Sequence, residues 1–250
     1  MAGSELQAIR AQPADQPNVQ TRAVTLLTVV HGWQPDAERW LLSVFTHTRA
    51  DFEAVIVDNS GDPRIAGWLK NRAAERLRVV SLNAPLGFAA AVDAGIETAA
   101  GEVVVLFDPG VELEGDVVTP LLDALSDPTV VVAGPYGLRG KGTMKEFAES
   151  EGPDVDAVEG YCMAFRRSDA LAAGGFDPKF RFYRMADVEF SFRMREHGGR
   201  AVVVNGLPVV RHEHRLWEST EPNERDRLSR RNTYRFLDRW RGREDLLVDK

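Results

Sequence analysis

The chain has 250 residues and one cysteine, Cys162. A single thiol excludes an internal disulfide and any zinc ribbon. It sits in EGYCMAF, among apolar residues, and reads as a buried small hydrophobe. No apolar run reaches the roughly 20 residues that a membrane span needs. The opening MAGSELQAIRAQPADQPNVQ lacks the apolar core of a signal peptide. It is polar and proline-bearing, so residues 1–20 are expected to form a flexible tail. Basic charge is not in excess. The 31 Lys and Arg face 38 Asp and Glu, for a net charge of −7, which argues against non-specific nucleic-acid binding. A phosphate-cradling loop is missing too. RGKGTMK comes nearest, but Lys141 is followed by Gly142, not Ser or Thr, and the glycine spacing is one residue too long. No repeat is evident.

What is present is an alternation. Apolar strand-like runs cover 23–30, 52–58, 78–82, 102–108 and 129–135. Helix-like runs cover 36–48, 63–77, 87–100 and 116–127. Strands alternating with helices predict an α/β fold with a mainly parallel sheet. Residues 102–108 are apolar up to Asp108, as a central parallel strand should be. After residue 135 the texture changes. Residues 136–156 are polar and glycine-bearing and predict a mobile loop. Strands follow at 157–167, 200–205 and 208–214, with a helix over 186–199. A strongly basic helix over 221–242 closes the chain. This second half reads either as a separate lobe or as a continuation of the same sheet.

In such sheets ligands bind beyond the carboxyl ends of the strands. Asp58, in VIVDNSGD, and Asp108, in VVVLFDPG, occupy such ends. Carboxylates there can meet a base or ribose, or hold a cation. Each also suits a plain turn. RHEH places His212 and His214 on one face of an extended strand, as possible metal ligands or as a solvated strand end. Asp187 opens a helix, where a carboxylate is either a cap or a general base.

Five stretches together carry a resemblance: VIVDNSGD, NAPLGFAAA, AAGEVVVLFDP, GGFDPKF and ADVEFSFRM. In this order the chain resembles the inverting family 2 glycosyltransferases, and within them the rhamnosyltransferase-like members. The resemblance spans about residues 23 to 240. It implies a GT-A fold: a mainly parallel sheet flanked by helices, with a mixed acceptor-side portion and a terminal helix. Residues 21–250 would form one domain, with a nucleotide-binding half over 21–135, an acceptor-side half over 136–220 and a basic helix over 221–243. It implies transfer of a hexose or deoxyhexose from a UDP- or dTDP-sugar to a hydroxyl of a glycan, lipid-linked or small-molecule acceptor, in the cytoplasm. By the same resemblance Val30, Asp58, Gly87, Phe88 and Asp108 would bind the nucleotide, with the backbone of 29–32 lining the base pocket. Asp187 would be the base. Asp108 with His212, or else His214, would hold a manganese or magnesium ion.

The chain also departs from the family pattern. Gly110 stands where the second aspartate of Asp-x-Asp would be, and Ala186 stands before the base. Val92 and Asp93 replace Arg-Asn, and VVHGWQP replaces a Thr-Tyr-Asn opening. Glu112 could replace the missing ligand if the turn bends back. Arg139 and Lys141 could instead face the leaving diphosphate. The alternative is a degenerate domain that binds nucleotide or a partner without transfer. The basic helix reads either as a peripheral membrane contact or as a helix packed on the core with its cations in water.

Overall fold

The computed structural model describes residues 23–249, so the expected tail over 1–20 lies outside the described residues. Thirteen strands and eight α-helices are found among the described residues. In chain order the first half is β1 (Val24–Val30), α1 (Gln34–His47), β2 (Phe52–Asp58), α2 (Pro63–Lys70), β3 (Leu77–Ser81), α3 (Phe88–Thr98), β4 (Val103–Phe107), β5 (Val111–Leu113), α4 (Val118–Leu125) and β6 (Val130–Gly134). The second half is β7 (Gly137–Gly140), β8 (Phe147–Ser150), β9 (Asp154–Val155), β10 (Ala157–Val158), β11 (Cys162–Arg166), α5 (Arg167–Ala172), α6 (Ala186–Arg195), β12 (Arg200–Val203), β13 (Val209–Arg211), α7 (Arg215–Ser219) and α8 (Pro222–Trp240).

One eight-stranded sheet runs β3-β2-β1-β4-β11-β6-β12-β9. Strands β3, β2, β1 and β4 pair in parallel, as do β6 and β12. Strand β11 pairs antiparallel with both β4 and β6, and so joins the second half to the same sheet. Residues 136–156 are not a mobile loop. They form a hairpin of β7 and β8 that pairs with β10. Glycines and charges led to the loop reading, but backbone pairing outweighs side-chain polarity here. Helix α2 is also shorter than its pattern, ending at Lys70 before the turn into β3.

Every residue of β1 is buried, because helices cover both faces of the sheet. Leu27 and Val29 pack on one side with Ala89, Val92 and Ile96 of α3. Val24, Leu26 and Val30 pack on the other with Trp40, Leu41 and Val44 of α1. The alanine-rich face of α3 lets it sit close to the sheet. A Cβ at Gly95 would come within 2.3 Å of Leu27 Cδ1, so a side chain there would force Leu27 to move.

The basic helix α8 buries Phe236, Leu237 and Trp240. Phe192 of α6 meets Phe236 edge-on at 5.2 Å. Arg239 lies 3.5 Å from Glu189 and 3.2 Å from Glu196. One face is therefore core, and cations beside it pair with the body. Asn232, fully buried, donates from Nδ2 to the carbonyls of Phe182 and Arg184, both at 2.8 Å. That anchors the segment leading into α6.

Asp93 on α3 accepts a 2.8 Å bond from the Phe176 amide, tying α3 to the Gly174–Gly175 turn. A Cβ at Gly175 would lie 2.5 Å from Asp93 Oδ1. Burial, with smaller effects from nearby charges, raises the Asp93 pKa to about 6. A carboxyl raised on folding binds its proton more tightly in the folded state. Stability is therefore lost as pH rises from about 4 through about 6. Asp93→Asn keeps an oxygen for Phe176 and removes the charge. We expect it to match the wild type below pH 4 and to exceed it at pH 7–8 by on the order of 1 kcal/mol, discounted for partial exposure. Thermal denaturation across that range checks this.

Candidate active site

The parallel strands end together. Val30 pairs with Asp58, and Thr28 with Phe107, so Asp58 and Asp108 flank the end of β1. Because β11 runs the other way, its beginning arrives at the same end. Cys162 pairs with Phe107, and the Asp108 amide donates to the Tyr161 carbonyl at 2.9 Å. One residue earlier, the Gly160 amide donates to Asp187 Oδ2 at 2.9 Å. Two hydrogen bonds, made by the adjacent residues Tyr161 and Gly160, thus link the end of β4 to the start of α6. Helix α6 is held there by the Val158 amide, which donates to Ser191 Oγ at 3.2 Å.

Between these elements lies a cavity of about 610 Å³. Phe88, Asp108, Tyr183, Arg184, Asp187 and His214 form part of its wall, and Lys141 and Lys145 reach it from the β7–β8 hairpin. Burial raises the pKa of Asp187 above the usual carboxylate range, against the Gly160 and Val188 amides and Arg184. Burial likewise raises Glu159 in the same wall, opposed by Arg211, which lies 3.1 Å away. Arg211 also covers the Tyr161 ring at 3.7 Å.

Asp108 is tightly held. Its Oδ1 accepts from the Gly110 amide at 2.7 Å, and its Oδ2 lies 3.2 Å from His214 Nε2. Burial raises its pKa, and His214 and the Gly110 amide oppose the rise. His214 is stacked on Tyr183, with ring centroids 3.8 Å apart.

The structure brings together Asp108, Phe88, Asp187, His214 and Lys141 of the residues singled out in the sequence. It sets others elsewhere. His214, not His212, faces Asp108. His212, just past the end of β13 at Arg211, bonds Glu112 at 2.8 Å instead. That bond also occupies Glu112. Arg139 donates to the Asp154 carbonyl and pairs with Asp249, so it braces the hairpin and does not line the cavity. Val30 has a core side chain, and its carbonyl accepts from the Asn59 amide at 2.9 Å. Asp58 Oδ1 accepts from the Ser60 amide and hydroxyl at 3.0 and 2.6 Å. Gly87 has φ 95°, and a Cβ there would lie 2.8 Å from Arg181 Cα. It is needed so the loop can pass that backbone. Sequence reasoning missed Tyr161, Tyr183, Glu159, Arg184, Lys145 and Arg211. For Glu159, Tyr161 and Arg211 the one available signal was their place at strand ends.

Whether these side chains suit a divalent cation can be tested by spacing. Two ligands on one ion, at bonds of about 2.1–2.2 Å and right angles, stand roughly 3 Å apart. Asp108 and His214 have that spacing at 3.2 Å. No group of three or more His, Cys, Asp or Glu able to hold an ion is found among the described residues. This pair could therefore supply two ligands to an ion whose remaining ligands are phosphate oxygens and water.

The sequence matches glycosyl transferase family 2 over residues 26–190. The chain belongs to that family. No curated protein matches it. Among solved structures it is similar to GalNAc-T7 with UDP, GalNAc and Mn2+, with a TM-score of 0.68 and 18% identity over 90% of this chain and 49% of that one. It is also similar to the mannosyltransferase PcManGT from Pyrobaculum calidifontis in complex with GDP-Man and Mn2+. There the TM-score is 0.56 and the identity 21%, over 81% of this chain and 61% of that one. The chain thus spans about half to three-fifths of these neighbours' length. At such identities the likeness concerns the fold, which is that of GT-A glycosyltransferases. No helix among the described residues is long and apolar enough to cross a membrane.

Gly110 is enclosed. A Cβ there would lie 2.9 Å from Asp108 Oδ1 and 3.0 Å from the Glu213 carbonyl. We expect Gly110→Ala to cost about 1–3 kcal/mol through crowding. Gly110→Asp should cost more, since it adds a like charge beside Asp108. Denaturant titration of both variants checks the order.

Proposed function

We propose that this family 2 member transfers a sugar, with inversion, from a nucleotide-diphosphate sugar to a hydroxyl acceptor. The observation that carries this reading is the shared cavity wall of Asp108 and Asp187. Asp108 marks the nucleotide side. Asp187 faces the same space from the start of α6, with a raised pKa that suits a general base. Asp187 takes the proton of the acceptor hydroxyl. The oxygen attacks the anomeric carbon opposite the bond to the diphosphate, which leaves as the new bond forms. Lys141, Lys145 and Arg184 line the same cavity and can offset anionic charge there. Asp108 and His214 would hold a manganese or magnesium ion, which neutralises charge on the leaving diphosphate.

The donor is a UDP- or dTDP-linked hexose or deoxyhexose, on the strength of the family resemblance. GalNAc-T7 with UDP and PcManGT with GDP-Man support a nucleotide site on this fold and make GDP the competing nucleotide. We treat residues 21–250 as one catalytic unit, its nucleotide half over 21–135 and its acceptor half over 136–220. The acceptor is a glycan, a lipid-linked glycan or a small hydroxyl compound in polysaccharide or glycoconjugate synthesis. We place it in the cytoplasm, where a lone buried thiol is at home. The exposed arginines of α8 could also meet an anionic membrane face.

Two measurements test this. First, the melting temperature should rise with one nucleoside diphosphate among UDP, dTDP and GDP, and rise further with manganese. No shift with any of them would favour a degenerate domain, the reading that Gly110 motivates. Second, Asp187→Asn should lower kcat by about 10²- to 10⁴-fold with little change in donor affinity. Because a base must be deprotonated and burial raises Asp187, the acid limb of the wild-type pH–rate profile should lie above the ordinary aspartate range. Transfer by Asp187→Asn at the wild-type rate would remove the base assignment.

A further inference from the structure

We infer that Glu159 selects the acceptor: one of its carboxylate oxygens accepts a hydrogen bond from a second hydroxyl, beside the one that Asp187 deprotonates. The acceptor therefore presents a neutral sugar ring with adjacent hydroxyls. The inference rests on the transferase reading above. Glu159 directly precedes Gly160, whose amide holds Asp187 Oδ2 at 2.9 Å. Both carboxyls line the same cavity. Burial raises the Glu159 pKa, Arg211 opposes the rise and Asp187 adds to it, so the two carboxyls sense each other. Hydroxyls on neighbouring carbons of one ring can reach two such groups at once.

Glu159 is held from several sides. Its amide donates to the Tyr136 carbonyl at 2.8 Å. Arg211 Nη1 lies 3.1 Å from its Oε2. Arg211 is itself packed on two rings, with its guanidinium 3.7 Å from the Tyr161 centroid and 4.5 Å from that of Tyr136. Oε2 is enclosed against that cation. Oε1 is not enclosed, and it has no hydrogen-bond partner among the described residues. A carboxylate oxygen in a partly dry wall is costly until a donor meets it. Asp187 takes the proton in the transfer step, which leaves Glu159 to bind.

The wall decides what kind of donor group that is. Arg211 answers Glu159, while Lys141, Lys145 and Arg184 are matched in the same wall by Glu146, Glu149 and Asp187. That balance leaves no excess positive charge to draw in an acceptor that carries a phosphate or carboxylate. A simple alcohol would satisfy Asp187 and leave Oε1 bare. A second hydroxyl satisfies both. A site built to bond a hydroxyl rejects the analogue that lacks it, because its own polar group then stays unpaired. Phe147 and Tyr161 add ring faces to the wall, which suit the C–H faces of a sugar.

Donor cleavage with a panel of acceptors tests this. The donor is the nucleotide sugar that raises the melting temperature most, and cleavage is compared with hydrolysis by water alone. The panel holds methyl glycosides of neutral hexoses and 6-deoxyhexoses, methyl glucuronoside and propanol. A neutral glycoside should accelerate cleavage, and propanol and the glucuronoside should not. Removing the hydroxyl next to the reacting one, as a deoxy analogue, should raise the wild-type KM by about tenfold. Glu159→Gln should raise the KM of the parent glycoside by a similar factor and leave that of the deoxy analogue as in the wild type. A general disturbance of the wall would raise both. The inference fails if propanol or the glucuronoside serves as well as the neutral glycosides, if the deoxy analogues match their parent, or if Glu159→Gln raises both KM values alike. It fails too if water cleaves the donor and no glycoside speeds the reaction, an outcome that leaves the transferase reading standing. No cleavage of any nucleotide sugar removes that reading, and Glu159's role with it. Should Glu159→Gln not fold, as circular dichroism would show, the deoxy analogues on the wild type decide.

Discussion

Asp108 is gripped from three parts of the chain, and the site is arranged around that grip. Its amide bonds the Tyr161 carbonyl, its Oδ1 takes the Gly110 amide, and its Oδ2 faces His214. The first tie sets the register of β11 against β4. The second closes the turn into β5. The third brings in the stretch after β13, which reaches the site because β13 pairs with β5. Each tie is modest alone, since a hydrogen bond contributes about 1 kcal/mol net. Together they join segments about 50 residues apart in sequence, and the cavity exists only where those segments meet.

That convergence follows from strand direction. Parallel strands β1, β2 and β4 all end at one edge, but they deliver only their last residues to it. The reversed strand β11 adds the residues that precede it, Glu159 to Tyr161. Helix α6 then begins against Gly160. The result is three carboxyls, Asp108, Glu159 and Asp187, in one partly dry space, each with its pKa raised mainly by burial. Carboxyls that resist ionisation need nearby cations to function as anions. Arg211 acts on Asp108 and Glu159, and Arg184 on Glu159 and Asp187, while the hairpin brings Lys141 and Lys145 to the same cavity.

The alternation of apolar runs made the first half legible, because central parallel strands are buried on both faces and carry little polar noise. Asp108 and Asp187, which line the cavity, were legible for a related reason: each is an acidic residue at an element end. The hairpin over 137–150 was not. Its glycines at 137 and 140 signal a turn in sequence, yet in space they let strands approach. A Cβ on Gly137 would lie 2.5 Å from Val203 Cγ2. The exchange of His212 for His214 has a similar cause. Alternation on a strand puts both histidines on one face, but the strand stops at Arg211, so the alternation no longer applies. Tyr183 was invisible because its partner, His214, is 31 residues away and no pattern links them.

Backbone strain points to the same place. Among the described residues only Trp33 and Met185 have positive φ without being glycine, at 51° and 66°. Each is the residue before a helix: Trp33 before α1 and Met185 before α6. A left-handed residue turns the chain sharply, which a helix start does not require; Asp62 enters α2 in extended conformation with its side chain as cap. The two strained entries lie on the two sides of the Asp108 edge, one after His31 and one before Asp187. Such residues cost on the order of 1–3 kcal/mol each and persist where the surroundings over-determine them. Around Met185 the determinants are plain. Asn232 holds the carbonyls of Phe182 and Arg184, and Gly160 holds Asp187, so the chain between has little choice. Around Trp33 fewer ties are found among the described residues: its carbonyl accepts from the Asp36 amide at 3.1 Å, while its side chain stays partly exposed at the rim of the pocket that holds Asp108 and His214.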